Sequence, residues 1–126
     1  MTYITVYFRT GSYRGQRAAI KVVKFFDLAR DEALFIKEVE ILYGLHHPNI
    51  AIFTGAGITD SRSKDKIRRN GVLVMQLLQY SLHDAIHTPA DMPNMVPLVA
   101  DDQKLAVVRQ IVSGMLYLHS TNPKVL

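Results

Sequence analysis

Lys21 ends the apolar run Ala18-Ala19-Ile20-Lys21, and Glu38 stands in the middle of the helix-forming segment that follows. An ammonium on a flexible stem is a compact point charge suited to phosphate oxygens, provided something holds it in place. A carboxylate can hold it, and Glu38 is the best-placed candidate. Elsewhere, Arg62, Lys64, Lys66, Arg68 and Arg69 concentrate positive charge beside Ser61 and Ser63. Such a cluster can bind phosphates or acidic partners, or mark a modified segment. A solvated loop between two strands accounts for it more simply.

Presenting Lys21 takes a strand, and presenting Glu38 takes a helix. Residues 2–8 and 18–26 are rich in β-branched, aromatic and other apolar residues, with turn formers Gly11-Ser12-Tyr13-Arg14-Gly15 between them. This predicts an antiparallel hairpin whose second strand carries the lysine. Asp27 or Asp31 can cap a helix from Leu28 to Leu45, and His46-His47-Pro48-Asn49 ends it, because proline disfavours helical geometry in the residue before it. Two further strands are expected over Ala51–Ile58 and Gly71–Leu78, joined by a polar loop from Thr59 to Asn70. Ser81 caps a short helix reaching His87. Pro89, Pro93 and Pro97 enforce an irregular connection, and Asp101 or Asp102 opens a last helix running to His119. Leu105, Val107, Val108, Ile111, Val112, Met115, Leu116 and Leu118 go nearly round that helix, so it expects neighbours on several sides.

Helical phase bears directly on Glu38. At about 100° per residue, Leu34, Glu38, Ile41, Leu42 and Leu45 share one arc, while Lys37, Glu40 and Tyr43 lie off its centre. Glu38 then points inward and needs a cation, whereas Glu40 is solvated. A rotated helix would instead leave Glu38 as one more surface acid. An alternating strand can equally place Lys21 on its wet face, as expected for Lys24.

Composition limits the function classes. The 126 residues, 48% hydrophobic, suffice for one core. No apolar stretch approaches the roughly 20 residues that span a bilayer, and the N-terminus lacks a charged-then-apolar leader pattern, so cytoplasmic residence is the expectation. The absence of cysteine excludes a disulfide framework and thiolate metal sites. A net charge of +4, drawn mostly from one segment, does not describe a nucleic-acid binder.

In order along the chain, these segments resemble the protein kinases. Ala18-Ala19-Ile20-Lys21 is similar to the family's Val-Ala-Ile-Lys strand, and Phe35 to Leu42 to the helix presenting the pairing glutamate. His47-Pro48-Asn49-Ile50 matches the turn after that helix. Val72 to Leu78 resembles the strand running into the hinge, with Met75 as gatekeeper. Ser81-Leu82-His83-Asp84 resembles the next helix, and Gln103 to His119 the helix before the catalytic loop. The style is that of tyrosine-kinase-like serine/threonine kinases. The fold implied is α+β: a small lobe and hinge over 1–79, with an antiparallel sheet and one packed helix, then the first two helices of a large lobe over 80–126.

The resemblance implies ATP as ligand, with Mg in a complete domain, and phosphoryl transfer to protein Ser/Thr. Lys21 would hold the α- and β-phosphates and Glu38 would fix Lys21. Ala19 would admit the adenine and Val6 would cover it. Met75 and the backbone of Gln76, Leu77 and Leu78 would line and bond the base, Gln76 standing where an acid is common. The family's glycine-rich loop would place glycines at Ile4, Met1 and one earlier position, and Gly11 and Gly15 cannot replace them. Asn122 to Leu126 corresponds to the approach to His-Arg-Asp, and neither that motif nor Asp-Phe-Gly occurs here. The expectation is therefore a fragment with no catalytic or metal-binding residue, inactive alone, and prone to self-association through its last helix. The alternative is a non-catalytic kinase-like module that binds nucleotide or a partner. His83-Asp84-Ala85-Ile86-His87 also resembles the zinc hydrolase pattern His-Glu-x-x-His. Aspartate replaces its glutamate and no third ligand follows, so two exposed polar residues on a short helix are the simpler reading. His46, His47 and His119 form no catalytic or ligand arrangement.

Overall fold

β1 (Val6–Tyr13) and β2 (Gln16–Lys24) form a hairpin closed by Arg14 and Gly15, with φ of 50° and 79°. Positive φ at both central residues matches the twist of the flanking strands; glycine adopts it without steric cost and arginine does not. The turn is narrower than the sequence suggests, since Gly11, Ser12 and Tyr13 continue β1 opposite Ala18, Arg17 and Gln16. The computed structural model describes residues 6–63, 66–87 and 98–121. The expected strand residues 2–5, the proline-rich connection over 88–97 and the terminal 122–126 lie outside them.

β3 (Phe53–Ser63) and β4 (Lys66–Gln76) complete an antiparallel sheet of order β1-β2-β4-β3. Of the segment expected as a loop, Thr59–Ser63 and Lys66–Asn70 instead extend this ladder, as far as Ser63 opposite Lys66. Ladder hydrogen bonds require only backbone, and the polar side chains pair across the strands. Arg69 Nε lies 3.1 Å from Asp60 Oδ1, and the Ser61 hydroxyl donates to Arg68 O at 3.3 Å. Opposite charges facing each other favour the register that polarity alone had suggested against.

Helix α1 (Leu28–Tyr43) starts on two carboxylates rather than one. Asp27 Oδ1 accepts from Arg30 N–H at 3.3 Å, whereas Asp31, 1% exposed, accepts from Phe26 and Asp27 N–H at 2.8 and 3.0 Å. These bonds satisfy donors that the tight entry into the helix would otherwise bury unpaired. The helix stops at Tyr43, where Gly44 N–H turns back to Ile41 O, two residues short of the expected end.

The core comprises Val23, Phe25, Phe35 and Leu73, with Val39, Leu42 and Phe53 packed against it. Phe35 meets Phe25 edge-on at 5.6 Å and lies over Gly71, where a Cβ would come within 2.5 Å of its ring. This seat overturns the predicted phase of α1. The inward stripe is Asp31, Phe35, Val39 and Leu42, while Leu34 and Ile41 are 49% and 40% exposed. Phenylalanine buries more apolar area than leucine, and only Gly71 leaves room for it, so the helix turns by about one position. Glu38 moves to the flank of the stripe.

Contacts divide the chain into two units, Met1–His46 with Ala51–Leu77, and His47–Ile50 with Leu78–Leu126. The second unit holds α2 (Leu82–His87) and α3 (Asp101–Ser120). Ser81 and Asp84 cap α2 reciprocally: Asp84 N–H donates to Ser81 Oγ at 3.1 Å, and Ser81 N–H and Oγ donate to Asp84 Oδ2 at 3.0 and 2.7 Å. The Ser81 hydroxyl and then its backbone N–H hold the Asp84 carboxyl below the usual carboxylate range. A depressed pKa contributes stability above the unfolded value, lost as pH falls through the folded one. The cap should therefore persist at neutral pH and weaken only below about pH 4. Comparing the acid limbs of unfolding curves for wild type and Asp84→Asn checks this, the variant's being the flatter.

Gln103 Oε1 accepts from Val99 and Ala100 N–H at the start of α3. Leu105, Val108, Ile111, Val112, Met115 and Leu116 are between 41% and 68% exposed. Gly114 is the buried position, where a Cβ would lie 3.2 Å from Asn49 O. Among the described residues no helix is long and apolar enough to cross a membrane.

Candidate functional site

Lys21 sits in the middle of the sheet, between Phe8 on β1 and Leu73 on β4. Successive strand residues alternate in face, so Ala19, Lys21 and Val23 share the side covered by α1. Lys21 Nζ lies 3.1 Å from Glu38 Oε1, with the two side chains 23% and 43% exposed. Strand and helix thus bring the two sequence-predicted partners together. Glu38 is nevertheless a flank residue with substantial access to water, so burial does not compel the pair. At such exposure an ion pair contributes about 0–1 kcal/mol. Its consequence is positional: the central strand presents the ammonium, and the helix limits where it can go.

Ala19 and Met75 are partly buried and face each other across β2 and β4. Gln76 N–H donates to Ile52 O at 2.8 Å, and Gln76 Oε1 accepts from Ile52 N–H at 3.3 Å. Both groups are therefore engaged with the segment entering β3. Leu77 is partly buried, whereas Leu78, 59% exposed, begins the second unit. Val6 pairs through its backbone with Val23. The positions expected for glycines, Met1 and Ile4, lie outside the described residues. A cavity of about 340 Å³ lined by Tyr13, Ala18, Ile52, Thr54, Met75 and Gln76, among others, includes neither Lys21 nor Glu38.

Sequence reasoning missed two devices. Arg69 reaches Asp60 with Nε and Glu32 of α1 with an Nη at 3.0 Å, tying the helix to the β3–β4 hairpin. The hydrogen bond to Asp60, then the charge of Glu32, raise its pKa further. Its opposite-charge neighbours were visible in the sequence, though not their convergence. In the second unit, His47 Nδ1 accepts from Asn49 N–H at 3.1 Å, Nε2 lies 3.4 Å from Ser113 Oγ, and the ring stacks on Tyr117 at 4.9 Å. With Nδ1 accepting, the remaining ring proton sits on Nε2 and points to Ser113. His47 is thus a seat for the turn on α3, a role the Pro48 breaker signal had hidden. The rings of His83 and His87 lie 4.6 Å apart, and no group of three metal-ligating side chains occurs among the described residues.

The family model for protein tyrosine and serine/threonine kinases matches residues 3–123. A probable serine/threonine-protein kinase of Dictyostelium discoideum is 46% identical over 50 residues, covering 40% of this chain and 5% of that protein. The dual specificity protein kinase pyk3 of the same organism is 32% identical over 110 residues, 87% of this chain and 7% of its own length. The probable serine/threonine-protein kinase SIS8 of Arabidopsis thaliana is 32% identical over 120 residues, 92% of this chain and 10% of its own length. The chain spans no more than a tenth of each of these relatives. A match running through nearly every element described above, together with the four-stranded sheet and its packed helix, means that this chain belongs to the protein tyrosine and serine/threonine kinase family.

Proposed function

We propose that these residues form the nucleotide-gripping part of a protein kinase domain, which in a complete domain transfers phosphate from ATP to serine or threonine of a protein. The contact of 3.1 Å between Lys21 and Glu38, on the sheet face shared with Ala19, carries this reading. Lys21 would meet the α- and β-phosphates, and Glu38 would keep the ammonium from swinging away. Ala19 and Met75 would border the adenine, with Val6 above it. Because Gln76 N–H is already bonded to Ile52, base recognition within 76–78 falls to the other backbone groups. Mg would serve the complete domain, where it neutralises charge on the transferred phosphoryl group. These 126 residues contain neither a His-Arg-Asp base nor an Asp-Phe-Gly metal ligand, so they transfer no phosphate unaided. The setting is cytoplasmic, and the exposed apolar positions of α3 favour self-association of the isolated chain.

Thermal unfolding with and without Mg-ATP tests the grip. At tenfold excess over its dissociation constant the nucleotide should add about 1.4 kcal/mol, a shift of roughly 4 °C. Lys21→Ala should fold yet lose most of that shift. If neither form responds to nucleotide, this chain does not bind ATP and the partner-binding alternative takes its place.

A further inference from the structure

The half of the β3–β4 hairpin beyond Ile58 and Gly71 takes no part in the core. Gly71 lies under Phe35 and Arg69 reaches Glu32, so these positions of β4 face α1. Lys66, Arg68 and Asn70 alternate with them and occupy the opposite sheet face. Ser61 of β3 stands directly across from Arg68, with Lys66 and Asn70 as its diagonal neighbours. Opposed residues keep their Cβ atoms about 5 Å apart and diagonal ones about 7–8 Å, both within reach of a long side chain. The Ser61 hydroxyl donates to Arg68 O at 3.3 Å and accepts from Asn70 Nδ2 at 3.4 Å. Both bonds are long for a hydroxyl, so exchanging them for others costs little.

Charge says what would replace them. Arg69 is matched by Asp60 and Glu32, whereas Lys66 and Arg68 make no ion pair among the described residues. Two unmatched cations and an amide donor around one hydroxyl suit a dianion carried on that oxygen. Ser61 is also open to an enzyme, being exposed, extended and on the edge strand of the sheet. A nucleic-acid patch would use the cations but has no need of a hydroxyl at their centre.

We propose that Ser61 is a phosphorylation site for a separate, ATP-dependent protein serine kinase, and that Arg68, Lys66 and Asn70 hold the phosphate and so tie β3 to β4. In that step Ser61 Oγ bonds to the γ-phosphorus of ATP and the bond from that phosphorus to the β–γ bridging oxygen breaks. ADP leaves with the electron pair, and the hydroxyl proton passes to the modifying enzyme's base. The site lies on the sheet face away from Lys21 and stands whether or not the chain binds nucleotide.

Two measurements on the full chain test it. Incubation of the folded chain with Mg-ATP and protein kinase C, a basophilic enzyme suited to Arg62 and Lys64 after the serine, should place phosphate on Ser61. Peptide mass spectrometry locates the phosphate, and Ser61→Ala should lose it. In the chain carrying genetically encoded phosphoserine at 61, phosphorus NMR should show the phosphate's second titration midpoint below its usual value of about 6. The unfolding midpoint should rise by roughly 2–4 °C over the unmodified chain. Arg68→Ala should cancel both shifts and Lys66→Ala part of each. Arg68 and Lys66 are exposed, so the unmodified variants should unfold near wild type. No phosphate at Ser61, phosphate accepted only by unfolded chain, or shifts indifferent to Arg68→Ala would overturn the proposal. So would binding of a single-stranded oligonucleotide by the unmodified chain, abolished in Arg68→Ala, with no titration shift in the phosphorylated one.

Discussion

Phe35→Ala should destabilise the first unit by about 3–5 kcal/mol, enough to leave it largely unfolded at moderate temperature. Phe35 is 4% exposed, packs edge-on against Phe25 and covers Gly71. Its loss removes the largest apolar contact of α1 and opens a void that flanking Val39 and Leu42 cannot reach. The partner substitution gives the same contact from the other side. Gly71→Ala places a methyl within 2.5 to 2.8 Å of three ring atoms, and should cost about 1–3 kcal/mol through overpacking. Combining Gly71→Ala with Phe35→Leu should cost less than the sum of the two single changes, because the smaller side chain relieves the clash. Chemical denaturation of all four proteins measures the coupling. Strict additivity would mean that the two residues do not share a packing constraint and that Phe35 on Gly71 does not set the helix's rotation.

Asp31→Ala should cost about 2–4 kcal/mol, an effect disproportionate to one small polar residue. The carboxylate accepts two backbone hydrogen bonds at a buried helix entry, and its removal leaves the N–H groups of Phe26 and Asp27 without that acceptor. Asp31→Asn keeps an acceptor oxygen and should lose less than half as much. Amide hydrogen exchange separates this from general loosening: protection should fall first at Phe26 and Asp27, before the β2–β4 ladder. Uniform acceleration across the sheet would contradict a local role. Since α1 carries Glu38, the same variant should also loosen the Lys21–Glu38 contact, visible as a smaller nucleotide shift if the proposed grip is right.

Much of the fold could be read from neighbouring residues. A turn within Gly11 to Gly15, a helix cap at Asp27 or Asp31, the Ser81 cap and the break at Pro48 depend on chemistry within a few positions of the chain, although the strands narrow that turn to Arg14 and Gly15. Motif order along the sequence identified the family before geometry did, and the family model over 3–123 agrees. Polarity alone does not distinguish an irregular loop from a solvent-facing strand. Thr59–Ser63 and Lys66–Asn70 are strand because Asp60 and Ser61 find Arg69 and Arg68 opposite them, and such pairing appears only once the β3–β4 register exists.

The sequence by itself determined the order of elements, the kinase relationship and the identity of the two ionic partners, because local turn and cap signals and ordered motifs specify these. Only the tertiary structure decided how α1 rotates about its axis. That depends on Phe35 finding the bare surface of Gly71 in a distant strand, so Asp31 goes inward and Leu34 and Ile41 turn to water. It also changed why Lys21 and Glu38 meet. Helical phase in the sequence places Glu38 inward, where a buried glutamate must capture a cation. In the folded chain Glu38 keeps water beside it, and the pair forms because sheet and helix, held together by the aromatic core and by Arg69, bring the two side chains within 3.1 Å.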